Sequence, residues 1–113
     1  MRKDTKARDF DRKAKISIAE RDSINGWPCC VHCGKPAPAT GDNTPLIWSN
    51  AHFIGRAQMG KGTPENGLTL CPGCHRRYDQ STERSAMREF FREYLKSKYP
   101  GWDESKLYYK KGE

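Results

Sequence analysis

Four of the five cysteines fall in two CxxC pairs, Cys30-Val-His-Cys33 and Cys71-Pro-Gly-Cys74. Each pair is a tight turn that aims two thiolates at one point, and four thiolates complete the closed tetrahedral shell that structural zinc prefers. Residues 34–70 separate the pairs, so one ion would clamp two distant segments together. A redox CxxC or unpaired core cysteines are the competing readings, and two such knuckles in a chain poor in core material fit zinc better. Cys29 stands outside the set, because its CxxxC spacing to Cys33 makes it a poorer ligand than Cys30. His32, held within a two-residue turn, is not expected to replace a thiolate.

A second group of reactive residue types lies between and just after the pairs. In "HFIGRAQMGKGTPENG", His52 to Gly67, the spacing of Gly55, Gly60 and Lys61 matches all but the last position of a Walker A phosphate loop. That position is Gly62, where a Ser or Thr would hold magnesium. Thr63-Pro64 and Asn66-Gly67 interrupt any helix that would have to follow, so a nucleotide-binding role is set aside. His75 directly follows the second pair, and Asp79 stands one helical turn later on the same face. A histidine and a carboxylate so placed can hold one divalent cation and leave positions open for water and phosphate.

The elements that position these residues follow from pattern and punctuation. From Thr5 to Ser23 a helix is predicted, with Phe10, Ala14 and Ile18 as a narrow apolar stripe and a basic opposite face. "NGWPCC" stops it, and "GKPAPATGDNTP" is too rich in Pro and Gly for regular structure. "LIWSNAHFI", Leu46 to Ile54, is the best strand candidate, and "GLTLC" is a second, shorter one. Pro72 suits the first turn of a helix that continues through "GCHRRYDQ". A longer helix is expected from Thr82 to Lys98 on the spacing of Ala86, Met87, Phe90, Phe91, Tyr94 and Leu95, ended by Pro100 and Gly101. The tail is expected to form one more helical turn that tucks Trp102 and Leu107 onto the body. The whole, 1–113, is read as one domain, with a basic N-terminal helix over 1–25, a zinc-stapled core over 28–80 and a C-terminal helix and tail over 81–113.

In "AHFIGR" followed by "ENGLTLCPGCHRRYDQ", the order His52, Asn66, His75 between two zinc knuckles resembles the HNH, or ββα-metal, endonucleases. The stretch from "CCVHCGK" to "YDQ", about half of the chain, resembles their four-cysteine, zinc-stabilised members from bacteria and phages. The resemblance implies a small zinc-stabilised α+β domain, a ββα-metal core with flanking N-terminal and C-terminal helices. It implies that His52 is the general base, since an imidazole with a pKa of about 6.5 can take a proton from water at physiological pH. Asn66 would then orient His52 by bonding to it or to the backbone of its own loop, and its bland reading is a plain Asn-Gly turn residue. His75 with Asp79 would hold a catalytic cation such as Mg²⁺, Mn²⁺, Ni²⁺ or Zn²⁺. Arg56, Lys61, Arg76 and Arg77 would contact DNA phosphates. One departure matters: many members carry Asp or His just before the base as a further ligand, and this chain has Ala51.

Composition agrees with a polyanionic partner. The net charge is +7 and the pI is near 9.3, and Lys and Arg that neutralise phosphates release counterions and give sequence-independent affinity. Hydrophobic residues make up 35% and mean hydropathy is -0.99, so the core is small and a metal staple is welcome. No apolar run approaches the roughly 20 residues needed to span a bilayer. The charged N-terminal stretch and the CxxC usage point to reduced cysteines in the cytoplasm, and the resemblance implies the cytoplasm of a bacterium or phage-infected cell. The expected function is hydrolysis of DNA phosphodiesters by nicking or cleavage, with no membrane partner and the oligomeric state open. The alternative is a catalytically silent zinc-binding module, a DNA-binding or phage accessory protein, which Ala51 favours.

Overall fold

Asp11 opens the first helix: its carboxylate accepts the backbone N–H of Ala14 at 2.7 Å, and α1 runs Arg12–Arg21. A computed structural model describes residues 9–109; the predicted first turn of this helix, before residue 9, lies outside the described residues. Phe10, Ala14 and Ile18 form the buried stripe, with Phe10 placed just ahead of the helix. The stop signal after it does more than stop the chain. Asn25 and Gly26 both take positive φ, 53° and 80°, which is what a two-residue hairpin turn requires. They join β1 (Ser23–Ile24) to β2 (Trp27–Pro28).

Residues 34–45 hold no helix or strand, as their Pro and Gly content predicts. The strand expected over Leu46 to Ile54 is shorter than predicted: β3 spans only Asn50–His52, while Leu46 is 46% and Ile47 74% exposed. The partner sets this limit. β4 is Gly67–Thr69, after which the chain turns into a helix, and a strand extends only as far as its ladder of hydrogen bonds. The two pair antiparallel as Asn50↔Thr69, Ala51↔Leu68 and His52↔Gly67. Ala51, Leu68 and Phe53 are fully buried in the main core with Tyr78, Phe91 and Leu95. His52 and Gly67 face the other way, toward α1.

Pro72 occupies the first turn of α2 (Pro72–Gln80), and α3 is Arg84–Lys98. These helices meet through Tyr78 and Phe91, whose rings lie edge to face at 5.1 Å. The buried stripe of α3 is narrower than its sequence pattern: Met87, Phe91 and Leu95 are buried, whereas Ala86 and Phe90 are exposed. The tail forms a 3-10 turn, Glu104–Leu107, that buries Leu107. Trp102 donates its indole N–H to the carbonyl of Glu65 at 2.9 Å. Thus, among the described residues, three helices and two small sheets make an α+β fold. No helix among the described residues is long and apolar enough to cross a membrane.

The sequence pattern gave no hint of the ion pair that ties these parts together. Arg21 donates to both carboxylate oxygens of Asp22, at 2.7 and 2.8 Å, to the carbonyls of Pro64 at 2.8 Å and Gly67 at 2.7 Å, and to the Tyr99 hydroxyl at 3.1 Å. Asp22 in turn accepts from the Thr69 N–H at 3.0 Å and from the Tyr94 hydroxyl. One pair thereby joins α1, β4 and α3, and its side chains are 9% and 0% exposed. Deleting one partner of such a pair leaves a buried uncompensated charge. Asp22→Ala is therefore expected to lower stability in urea unfolding by about 3–5 kcal/mol; a loss of less than about 1 kcal/mol, the range of exposed pairs, would contradict this role.

Candidate functional site

The first cysteine pair is shaped by the turn that carries it. Gly34 at φ +80 lets its N–H reach the Cys30 carbonyl at 2.9 Å, and the Cys30 N–H reaches the Lys35 carbonyl at 2.8 Å. The neighbouring Val31 N–H bonds the Thr69 carbonyl at 2.9 Å, fixing the knuckle to β4. The second pair begins at Cys71, the residue that caps α2, with Cys74 in the helix's first turn. All four Sγ atoms lie within 4.8 Å of one another. The Cys33 and Cys71 sulfurs are 3.8 Å apart, whereas a disulfide would bring them to about 2.05 Å. With Zn–S bonds of about 2.3 Å, the edge of a thiolate tetrahedron is about 3.8 Å, so the spacing fits zinc.

Burial pushes the Cys30 and Cys74 thiols up. Burial also opposes ionisation of Cys71, but hydrogen bonds from the Cys74 backbone and thiol, then from Cys33 and Cys30, outweigh it and bring that thiol to about 7. Arg77 donates a guanidinium N–H to Cys74 Sγ at 3.5 Å. Its positive charge thus lies beside a cluster that turns anionic when it holds an ion. His32 Nδ1 is 3.6 Å from the same sulfur, so it borders the cluster without belonging to its four donors. Cys29 is buried elsewhere and donates its thiol to the Trp27 carbonyl at 3.4 Å.

Asn66 is fully buried, which a plain surface turn would not require. Its Oδ1 accepts the Ile54 N–H at 2.7 Å, and its amide donates to the carbonyls of Ile54 at 3.1 Å and Lys61 at 2.8 Å. Of the two partners predicted for it, these bonds go to the loop backbone. They draw the loop after β3 into a closed ring of contacts. Gly60 makes the ring possible: a Cβ there would stand 1.8 Å from the Ile54 carbonyl oxygen. The Walker-like glycine spacing therefore reflects a tight loop rather than a nucleotide cradle.

His52 ends β3, and its ring stacks on Phe10 with centroids 4.1 Å apart and planes 25° apart. The facing residue, Gly67, leaves room for this: a Cβ there would meet Ile18 Cδ1 at 2.3 Å and Phe10 Cε1 at 3.0 Å. On α2, His75 Nε2 lies 3.2 Å from Asp79 Oδ2. Both line an open cleft of about 340 Å³ with Trp48, Ser49, Arg76 and Gln80. Asp79 also faces Arg84, at 3.9 Å. Among the described residues the cysteines are the one group of three or more His, Cys, Asp or Glu placed to hold an ion. His75 and Asp79 are thus a pair, and His52 is not drawn into a three-residue set with them. Ala51 is fully buried on the core side of the hairpin.

The predicted DNA contacts separate into different environments. Arg76 is exposed beside the His75 cleft. Arg56 pairs with Asp9 at 2.7 Å. Lys61 contributes its backbone, accepting from Asn66 and donating its N–H to the Leu107 carbonyl at 2.8 Å, and Arg77 faces Cys74. No family model matches the chain, and no curated protein matches it.

Proposed function

We propose that this chain is a metal-dependent endonuclease of the HNH, ββα-metal kind that hydrolyses DNA phosphodiesters. The observation that carries this reading is an order in space: a short antiparallel hairpin leads into a helix, with His52 at the end of its first strand and the His75–Asp79 pair on the helix. The buried Asn66 closes the loop between them. A module that only binds DNA has no need of that arrangement.

Each side chain has a defined task. His52 accepts the proton of the attacking water, and Phe10 holds the plane of its ring. Asn66 acts through backbone, setting where β3 ends and so where His52 projects. The nitrogen and carboxylate of His75 and Asp79 suit a borderline or hard divalent cation and leave most positions for water and phosphate oxygen. When bound, such a cation supplies charge neutralisation at the phosphate and the departing 3′ oxygen. Arg76 grips the backbone beside the cut without reading sequence. One chain carries one such set, so a double-strand break takes two events or two copies.

The test is plasmid nicking by metal-stripped protein as Mg²⁺, Mn²⁺ or Ni²⁺ is added back. Even partners outside a metal's ligand shell lower affinity about 10–100-fold when removed. His75→Ala, which deletes a direct ligand, should therefore raise the cation concentration for half-maximal nicking at least tenfold. An unchanged cation curve would remove His75 from the site.

The second reading is a silent DNA-binding module stapled by zinc. Ala51 favours it, since the position where many family members carry a ligand is here packed into the core. That reading requires DNA binding with no cation-dependent nicking.

A further inference from the structure

We propose that a second cleft, on the far side of Asp79 from the His75 cleft, is a phosphate-binding site for the DNA backbone, with Arg84 and Arg88 as its ligands. This rests on the nuclease reading and extends it to the path of the strand. The cleft encloses about 490 Å³ between the Ile54–Gln58 segment and α3, and its walls include Gly55, Gln58, Asp79, Arg84, Arg88 and Tyr108.

Both guanidinium groups are set in place before any ligand arrives. Arg84 lies over the Tyr78 ring, 4.3 Å from its centroid, and donates to the Tyr78 carbonyl at 2.7 Å. Arg88 lies over Phe53 at 5.4 Å and donates to Glu104 at 3.0 Å. A planar fork held in this way loses little freedom when it grips an oxyanion, and it suits phosphate geometry. Arg84 and Arg88 are four residues apart on α3, so they stand side by side. Two guanidinium groups and one carboxylate line the cleft, and Glu104, which holds Arg88 from behind, is shared with Arg92 at 2.7 Å, so it does not cancel Arg88 alone.

Continuity points to a strand rather than a small anion. Asp79 is a wall of both clefts. An extended polyanion can therefore run from Arg76, past His75 and Asp79, to Arg84 and Arg88. A cation held at Asp79 would neutralise the carboxylate that lines the cleft and strengthen its pull on the next phosphate.

The experiment measures binding without cutting: His52→Ala protein and a short DNA duplex, with affinity followed against salt. Each phosphate contact contributes about 0.9 to the slope of log K against log salt. Arg84→Gln in this background should lower the slope by about that much and weaken binding about tenfold, the size of a charged hydrogen bond. Arg88→Gln should do the same and serves if the first variant melts early, since Arg84 also packs on Tyr78. Lys96→Gln, an equal charge change at an exposed α3 position outside the cleft, should leave the slope in place. The proposal is overturned if neither arginine variant changes the slope, if Lys96→Gln changes it equally, or if the protein binds no DNA. If the slope depends on Arg84 but wild type nicks no plasmid, the cleft stands and the catalytic reading falls.

Discussion

Cys71→Ser is expected to unfold most of the domain, with the bound metal lost from the purified protein. Cys71 holds two roles at once, a ligand position in the four-cysteine cluster and the cap residue of α2. Structural zinc in small domains contributes about 10–16 kcal/mol of apparent binding free energy, and that energy is folding energy because no preformed site exists in the unfolded chain. A whole domain is stable by only about 5–15 kcal/mol. Loss of the ion therefore removes an amount as large as the net stability. Serine is close in size and suits the cap position at least as well, so the effect isolates the thiolate. Cys29→Ser makes the same chemical change outside the cluster and should retain the metal. Metal content and thermal melting by circular dichroism check both variants. A Cys71→Ser protein that melts with wild type, with its metal retained, would show that the four thiols do not form the staple.

The four-cysteine cluster and the helices were readable from sequence because their signals are local. CxxC spacing, Pro72 at a first turn and the apolar spacing of Met87, Phe91 and Leu95 each depend on a few neighbouring residues. The Asn25-Gly26 hairpin carried an equally local signal, though its effect as a helix stop hid its second effect as a turn. What escaped depends on partners distant in the chain. The apolar run from Leu46 to Ile54 has strand composition throughout, yet its pairing ends where β4 ends. Arg21 and Asp22 sit in a charged stretch and resemble surface residues; only the arrival of Thr69, Tyr94 and Tyr99 buries them. Gly67 opens the strand read from "GLTLC" and lies in β4, but the close approach of Phe10 and Ile18 that requires a glycine there comes from a distant part of the chain. Site residues show the same division. His75 and Asp79 meet as their helical spacing predicts, while the direction of Arg77 toward Cys74 and the clefts shared by Asp79 depend on how α2 lies against the rest.

His52→Ala is expected to slow DNA cleavage by about 10²–10⁴-fold, the usual worth of a positioned general base, while DNA affinity stays near wild type. The imidazole sits at a strand end fixed from two sides. Asn66 closes the loop that follows it, and Phe10 stacks on its ring. Alanine removes the ring and its stack on Phe10 together with the proton acceptor, but it leaves the Asn66 bonds to the loop backbone in place, so the fold should persist. The phosphate contacts proposed for the arginines do not depend on His52, which is why binding and cutting should separate in this variant. The most direct measurement is the nicking rate of supercoiled plasmid by metal-stripped wild type and His52→Ala, side by side, with Mn²⁺ restored. A nuclease built as proposed gives cation-dependent nicking by wild type and a rate at least about 100-fold lower in the variant. Equal rates in the two proteins, or DNA binding by wild type without nicking under Mg²⁺, Mn²⁺, Ni²⁺ or Zn²⁺, would contradict it.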